Sequence, residues 1–246
     1  PLALCPYTAW MQNPLPRQQA FNDLVISVLA RFAAGAGAEI DDCIRDSLRE
    51  ISQFIGVDYA LVIQTVPDLT AWSVTHEWCA PEVPSRAEDY QNVPMGTFDW
   101  SEQVLLAGQA VIFNCLEDAP PTAAAVRRQW ESLGFQSTLQ LPLRGRGGVV
   151  CGCIVLSSIF RKITWTDDDV QRLRLLAEAI ANAVQRTRAE TNLRESEAQY
   201  RATFEYAPVG IARISLQRRL LTANQSFFDM LGYPAADILG KHLREV

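Results

Sequence analysis

No apolar run in the 246 residues approaches the roughly 20 needed to span a bilayer, and the opening PLALCPYTAW lacks the basic flank of a signal peptide. No membrane segment is expected here, and the chain is read as cytoplasmic. Basic clusters are missing as well. There are 22 Lys and Arg against 28 Asp and Glu, a formal net charge of -6, and the cations stand singly or in pairs such as Arg127-Arg128 and Arg218-Arg219. Such a surface repels phosphate, so no nucleic-acid partner is expected. Histidine is scarce: there are only two, His76 and His242. Neither sits in a context that could build a Ser-His-Asp set. His76-Glu77 lacks the second histidine of a metal helix, Ala80 standing in its place, and reads as part of a strand. The six cysteines (Cys5, Cys43, Cys79, Cys115, Cys151, Cys153) have neither zinc nor redox spacing, and are read as buried thiols. Gly145-Arg146-Gly147-Gly148 lacks the Lys-Ser/Thr of a phosphate loop, and Asp167 to Asp169 suit a helix start better than a metal. Neither a catalytic residue nor a metal ligand is assigned, and no enzyme is expected within these residues.

What is present is enough apolar material, 48%, for a sizeable core. Residues 1–17 are proline-bearing and aperiodic, and are expected to be irregular. Helical spacing begins at Gln18 and runs to Phe32, with Gly35 and Gly37 ending it, and a second helix near Glu39 carries Ile40, Ile44, Leu48, Ile51, Phe54 and Ile55 before Gly56. Tyr59 to Ile63, bounded by Asp58 and Pro67, predicts a buried strand. Alternation over 72–79 predicts a second with Trp72, Val74, His76 and Trp78 on one face. A long loop over 80–97 follows, then a helix over 100–106 capped by Asp99, a strand at Val111 to Phe113 and a helix from Thr122 to Leu133. Strands at 138–143 and 149–156 are joined by a glycine-rich hairpin connection.

From Thr166 one helix is predicted to reach about Tyr206, roughly 60 Å at 1.5 Å per residue. Its seam is apolar at Val170, Leu173, Ala177, Ile180 and Val184, then polar or small at Thr187, Thr191, Arg194 and Ala198. The first half can pack firmly and the second only weakly. A small hairpin (209–214 with 220–223) and two short helices (225–231 and 235–239) complete the pattern. With no initiator Met and an abrupt end at Val246, the sequence is expected to belong to a longer chain.

This order of elements resembles a GAF domain over residues 18–187. The likeness rests also on Thr75-His76-Glu77-Trp78-Cys79-Ala80-Pro81, the helix Trp100 to Leu105, Leu141-Pro142-Leu143, Gly152, and Thr164-Trp165-Thr166-Asp167-Asp168-Asp169. The remainder resembles the opening of a PAS domain through residues 197–205, Ala207-Pro208-Val209-Gly210-Ile211-Ala212, Asn224-Gln225-Ser226-Phe227-Phe228 and Leu231-Gly232-Tyr233. The resemblance implies an α+β fold: a mainly antiparallel sheet flanked by helices over 18–187, a helical connector over 188–206, and an incomplete PAS-like unit over 207–246. No PAS cofactor is assigned, because the part that would hold it is absent.

GAF domains of this kind stand ahead of PAS and GGDEF/EAL or histidine-kinase modules in bacterial signalling proteins. The resemblance thus implies a sensory part of a cyclic di-GMP or two-component pathway, a homodimer through its helices, and an output domain in the same polypeptide. It also implies a pocket between the sheet and residues 80–134, with Trp78, Trp100, Gln103, Thr138 and Gln140 as candidate ligand-binding residues. Some GAF domains hold a bilin through a cysteine near the helix before the fifth strand. Here that helix, Val126 to Glu131, has none, so no covalent bilin is expected and the cofactor is left unassigned. Two readings stay open: a sensor whose small-molecule or partner-bound state is relayed through the exit helix, and a dimerising spacer with no ligand.

Overall fold

A computed structural model describes residues 14–35, 39–66 and 68–245, which divide into two compact units, one reaching Thr187 and one beginning at Arg188. Cys5, Gly37, Pro67 and the irregular lead-in as far as residue 13 lie outside the described residues. Residues 14–17, expected to be irregular, form the first turn of α1 (Pro14–Ala34). Proline suits that turn, because the first N–H groups of a helix have no partner within it.

The first unit has three layers. Its middle is a six-stranded sheet of β1 (Tyr59–Thr65), β2 (Ala71–Cys79), β3 (Val93–Pro94), β4 (Val111–Phe113), β5 (Ser137–Arg144) and β6 (Val150–Ser158). The spatial order is β3-β2-β1-β6-β5-β4, and every neighbouring pair is antiparallel. Both edges are very short strands, which leaves little unpaired backbone to recruit another chain.

One face of the sheet carries α1, α2 (Glu39–Ile55) and the first half of α5 (Asp167–Glu205). Phe21, Val25, Ile44, Leu48, Leu173 and Ile180 meet Ala60, Val62, Leu139, Leu141, Ile154 and Leu156 there. Each fully buried leucine or isoleucine contributes about 1.5–3 kcal/mol by leaving water. The other face is covered by the 80–98 segment, α3 (Asp99–Leu106) and α4 (Ala124–Ser132). The segment expected as plain loop contains one turn of 3-10 helix, Ala87–Tyr90, and the two residues of β3.

Two local expectations are corrected. Asp99 is the first residue of α3 and does not cap it. Glu102 does so from inside the helix, its carboxylate accepting from the N–H of Phe98 (3.1 Å) and of Gly96 (2.5 Å). Asp99 instead accepts from Gln103 Nε2 at 2.8 Å. In β2, register with β1 runs Val62 to His76 and then Ile63 to Val74, so Thr75 is the extra residue of a β-bulge. The predicted common face of Trp72, Val74, His76 and Trp78 is therefore split. Trp72 and Val74 face α3, whereas His76 and Trp78 face the helices on the other side.

α5 is one unbroken helix of 39 residues. Thr166 caps it reciprocally: its hydroxyl accepts from the Asp169 N–H (3.1 Å) and donates to the Asp169 carboxylate (2.7 Å). Its buried residues run from Val170 to Val184, and residues 191–200 are all exposed.

In the second unit β7 (Ala212–Ile214) pairs with β8 (Leu220–Ala223), followed by α6 (Gln225–Leu231) and α7 (Ala235–Ile238) around Leu220, Phe228 and Ile238. Asn224, fully buried, knits it together. Its oxygen accepts from Ile211 N–H (2.8 Å) and Phe227 N–H (3.1 Å), and its amide donates to the carbonyls of Phe204 and Val209 (both 2.9 Å). Among the described residues no helix is long and apolar enough to cross a membrane.

Candidate functional site

The face of the sheet away from α1 and α2 is a floor of alternate side chains: Tyr59, Leu61 and Ile63 from β1, Trp72 and Val74 from β2, Cys153 and Val155 from β6. The bulge at Thr75 is what ends this floor, since beyond it β2 turns its larger side chains the other way. Over the floor lie Arg86, Tyr90, Met95 and Phe98 of the 80–98 segment and Leu105 of α3, with Trp130, Leu133 and Phe135 closing one end. The space between holds a cavity of about 100 Å³, almost wholly apolar in its lining. A second cavity adjoins it, sharing Tyr59, Arg86, Leu133 and Phe135 and adding Glu82, Val83 and Phe160.

Two carboxylates hold the roof in place. Glu102 accepts from Trp72 Nε1–H at 3.0 Å in addition to the two N–H groups it caps, so one side chain fixes the indole in the floor and both ends of the turn at 96–98. Trp72 in turn stacks near Tyr90 (ring centroids 6.0 Å apart) and Phe98 (5.7 Å). Glu77 accepts from the Tyr59 hydroxyl (2.6 Å), from the Arg86 N–H (2.9 Å) and from the Ser85 hydroxyl. Burial, and then the bond to Glu77, raise the Tyr59 phenol well above its ordinary range. It stays protonated and acts as a donor. Burial likewise pushes the Cys153 thiol up to about 12, so it lies in the floor as an unreactive thiol. Gln91 donates to the carbonyls of Val74 (2.8 Å) and Ala87 (2.7 Å), pinning the middle of the roof to β2 beside the bulge.

The five residues singled out from the sequence do not meet in this cavity. Gln140, buried, lines it. Thr138 lies on the same strand and face but is taken up by Ser157, oxygen to oxygen at 2.9 Å. Trp100 packs behind the wall against Phe113, ring centroids 5.8 Å apart. Gln103 is exposed on α3, tied to Asp99. Trp78 is on the opposite face of the sheet, because of the bulge. The sequence reading passed over Tyr59, Trp72, Arg86, Tyr90, Phe98 and Glu102. Trp72 and Tyr59 were visible as apolar strand positions. The roof residues sit in an aperiodic segment, which gives no face to read.

Among the described residues no group of three His, Cys, Asp or Glu side chains is placed to hold a metal ion. Cys153 is the one cysteine among the described residues lining either cavity, and it is deep in the floor and protonated. These residues do not fit a covalently attached bilin.

Comparison with solved structures places the fold. The phycocyanobilin-bound GAF domain from a cyanobacterial phytochrome is similar with a TM-score of 0.57 at 15% identity, over 69% of this chain and 96% of that one. The blue-light absorbing form of the Thermosynechococcus elongatus PixJ GAF domain gives 0.51 at 13%, over 66% and 94%. The bacteriophytochrome RpBphP3 from R. palustris gives 0.56 at 14%, over 75% of this chain and 41% of that one. At these identities the likeness is one of fold. No curated protein is similar enough in sequence to count as a relative. A PAS domain model matches residues 198–246. The GAF domain model matches residues 39–184, which is more than half of the chain and takes in the whole sheet and, α1 excepted, the helices that cover it. On that match the protein belongs to the GAF domain family.

Proposed function

We propose that this chain is a cytoplasmic sensory module that binds a small, flat, largely apolar molecule without a covalent bond, and relays its occupancy along α5 to an output domain of the same polypeptide. It carries no catalysis of its own and pairs with a second copy through the exposed part of α5, in a two-component or cyclic di-GMP pathway. The observation that supports this most is the apolar, aromatic-walled cavity beneath a roof tied down by Glu77, Glu102 and Gln91. Glu77 and Glu102 tie the roof, and β6, part of the floor, leads directly into α5.

The test is thermal unfolding of the full chain against tetrapyrroles, cyclic nucleotides and small planar aromatics, followed by tryptophan fluorescence. A ligand at about 100 times its Kd stabilises the state that binds it by about 2.7 kcal/mol, a readable rise in Tm. Val155→Phe, which fills the floor, is expected to abolish the rise while leaving the far-UV circular dichroism intact. A rise that survives Val155→Phe would remove this cavity as the site. No rise with any compound, in a chain that sediments as a dimer, would favour a ligand-free spacer.

A further inference from the structure

The cavity is apolar, yet one charged group on its wall has no partner. Glu102 is occupied by three donors, the Tyr59 hydroxyl by Glu77, and Cys153 is a neutral thiol. Arg86 differs. It lines both cavities, and so stands where they meet. Its backbone N–H is fixed by Glu77 at 2.9 Å, which sets its position independently of its side chain. Among the described residues the guanidinium makes no hydrogen bond and no ion pair, although Glu82 also lines the second cavity.

A guanidinium offers five N–H donors in a planar fork that matches a carboxylate at two points. A neutral apolar ligand filling the cavity would take water from that fork and return nothing, which penalises binding. A ligand that ends in a carboxylate at this point would supply the missing acceptors, and would bring the opposite charge into a site screened from water by its own apolar body.

Resting on the small-molecule reading above, we infer that the ligand is an amphipathic anion, with a flat apolar body over the β1, β2 and β6 floor and a carboxylate held by Arg86 at the junction of the two cavities. Arg86 is then a specificity residue: it selects the acid over its neutral analogue and adds little to the affinity for the apolar body.

The experiment uses the full chain with 2-naphthoate and 2-naphthamide, which share shape and differ in charge, and reads tryptophan quenching and isothermal titration. The wild type is expected to bind naphthoate about tenfold more tightly than the amide, the equivalent of one net charge-assisted contact. Added salt should narrow that gap by weakening naphthoate alone. Arg86→Gln should erase the preference, chiefly by weakening naphthoate, and Arg86→Lys should restore part of it. Because the side chain bonds to nothing in the fold, neither variant is expected to lower Tm. Equal binding of acid and amide by the wild type, or a preference that persists in Arg86→Gln, overturns the anion site while leaving the apolar cavity standing. Binding of neither compound overturns both.

Discussion

His76 is 7% exposed and faces the helical layer from β2. Its Nε2 lies 3.2 Å from Asp41 Oδ1 on α2, and its Nδ1 lies 3.0 Å from the Thr75 hydroxyl. Burial lowers its pKa below the ordinary 6.5, with Arg45 adding to the shift and Asp41 opposing it. In the unfolded chain the imidazole takes up its proton as pH falls through about 6.5, whereas in the folded chain it resists until a lower pH. The unfolded state thus binds more protons in that window. Stability is undiminished above pH 6.5 and declines as pH falls below it, by at most about 1.4 kcal/mol per pH unit. Urea unfolding followed by tryptophan fluorescence is the suitable probe, since the five tryptophans among the described residues all belong to the first unit. His76→Gln is expected to flatten the slope between neutral and mildly acidic pH. An unchanged slope would mean that another group governs it.

At the scale of elements, the register of β1 with its neighbours decides which side chains form the cavity floor. Gly152 sits opposite Gln64 of β1 and Leu143 of β5, at φ +155°, and a Cβ there would collide with the carbonyl oxygen of Ile63. Gly152→Ala must therefore push β1 away from β6 or distort β6, and is expected to cost about 3 kcal/mol or more, since close-packed backbone has no rotamer by which to yield. Its loss should appear as a lower first tryptophan transition. A neutral outcome would mean that the two strands separate easily.

This element scale also explains what the sequence disclosed. The strands and helices of the first unit were legible because their periods differ and because Gly56 and Gly134 punctuate them. The faces were less so. A bulge adds one residue to a strand without changing its composition, so the alternation from Trp72 to Trp78 reads as continuous although its second half is inverted. The cap of α3 was misassigned for a related reason: Asp99 occupies the favoured position, but Glu102 reaches the free N–H groups. Gln140 stands on the cavity wall, where the unbroken alternation of β5 puts it, whereas Arg86, Tyr90 and Phe98 carry no periodic signal because only contacts fix the 80–98 segment.

At the scale of the whole molecule the two domain matches share α5, which caps firmly at Thr166, buries side chains from Val170 to Val184 and exposes residues 191–200. Its first half is also held by Arg186, which donates to the carbonyl oxygens of Phe32 and Gly35 at the end of α1. A helix so graded opens most readily where its side chains are exposed, and there a small bias in free energy changes the population most. If occupancy of the cavity is relayed, a ligand must alter that opening beyond Thr187 as well as within the first unit, for an equilibrium moves only through differential affinity for its two states. Amide hydrogen exchange on the full chain, with and without saturating 2-naphthoate or whichever compound raises Tm, reads both regions at once. A sensor is expected to slow exchange over 80–105 and to change it, in either direction, over 188–205. Protection confined to residues before Thr187 would mean that binding stays local and that α5 serves as a spacer, even with the cavity filled.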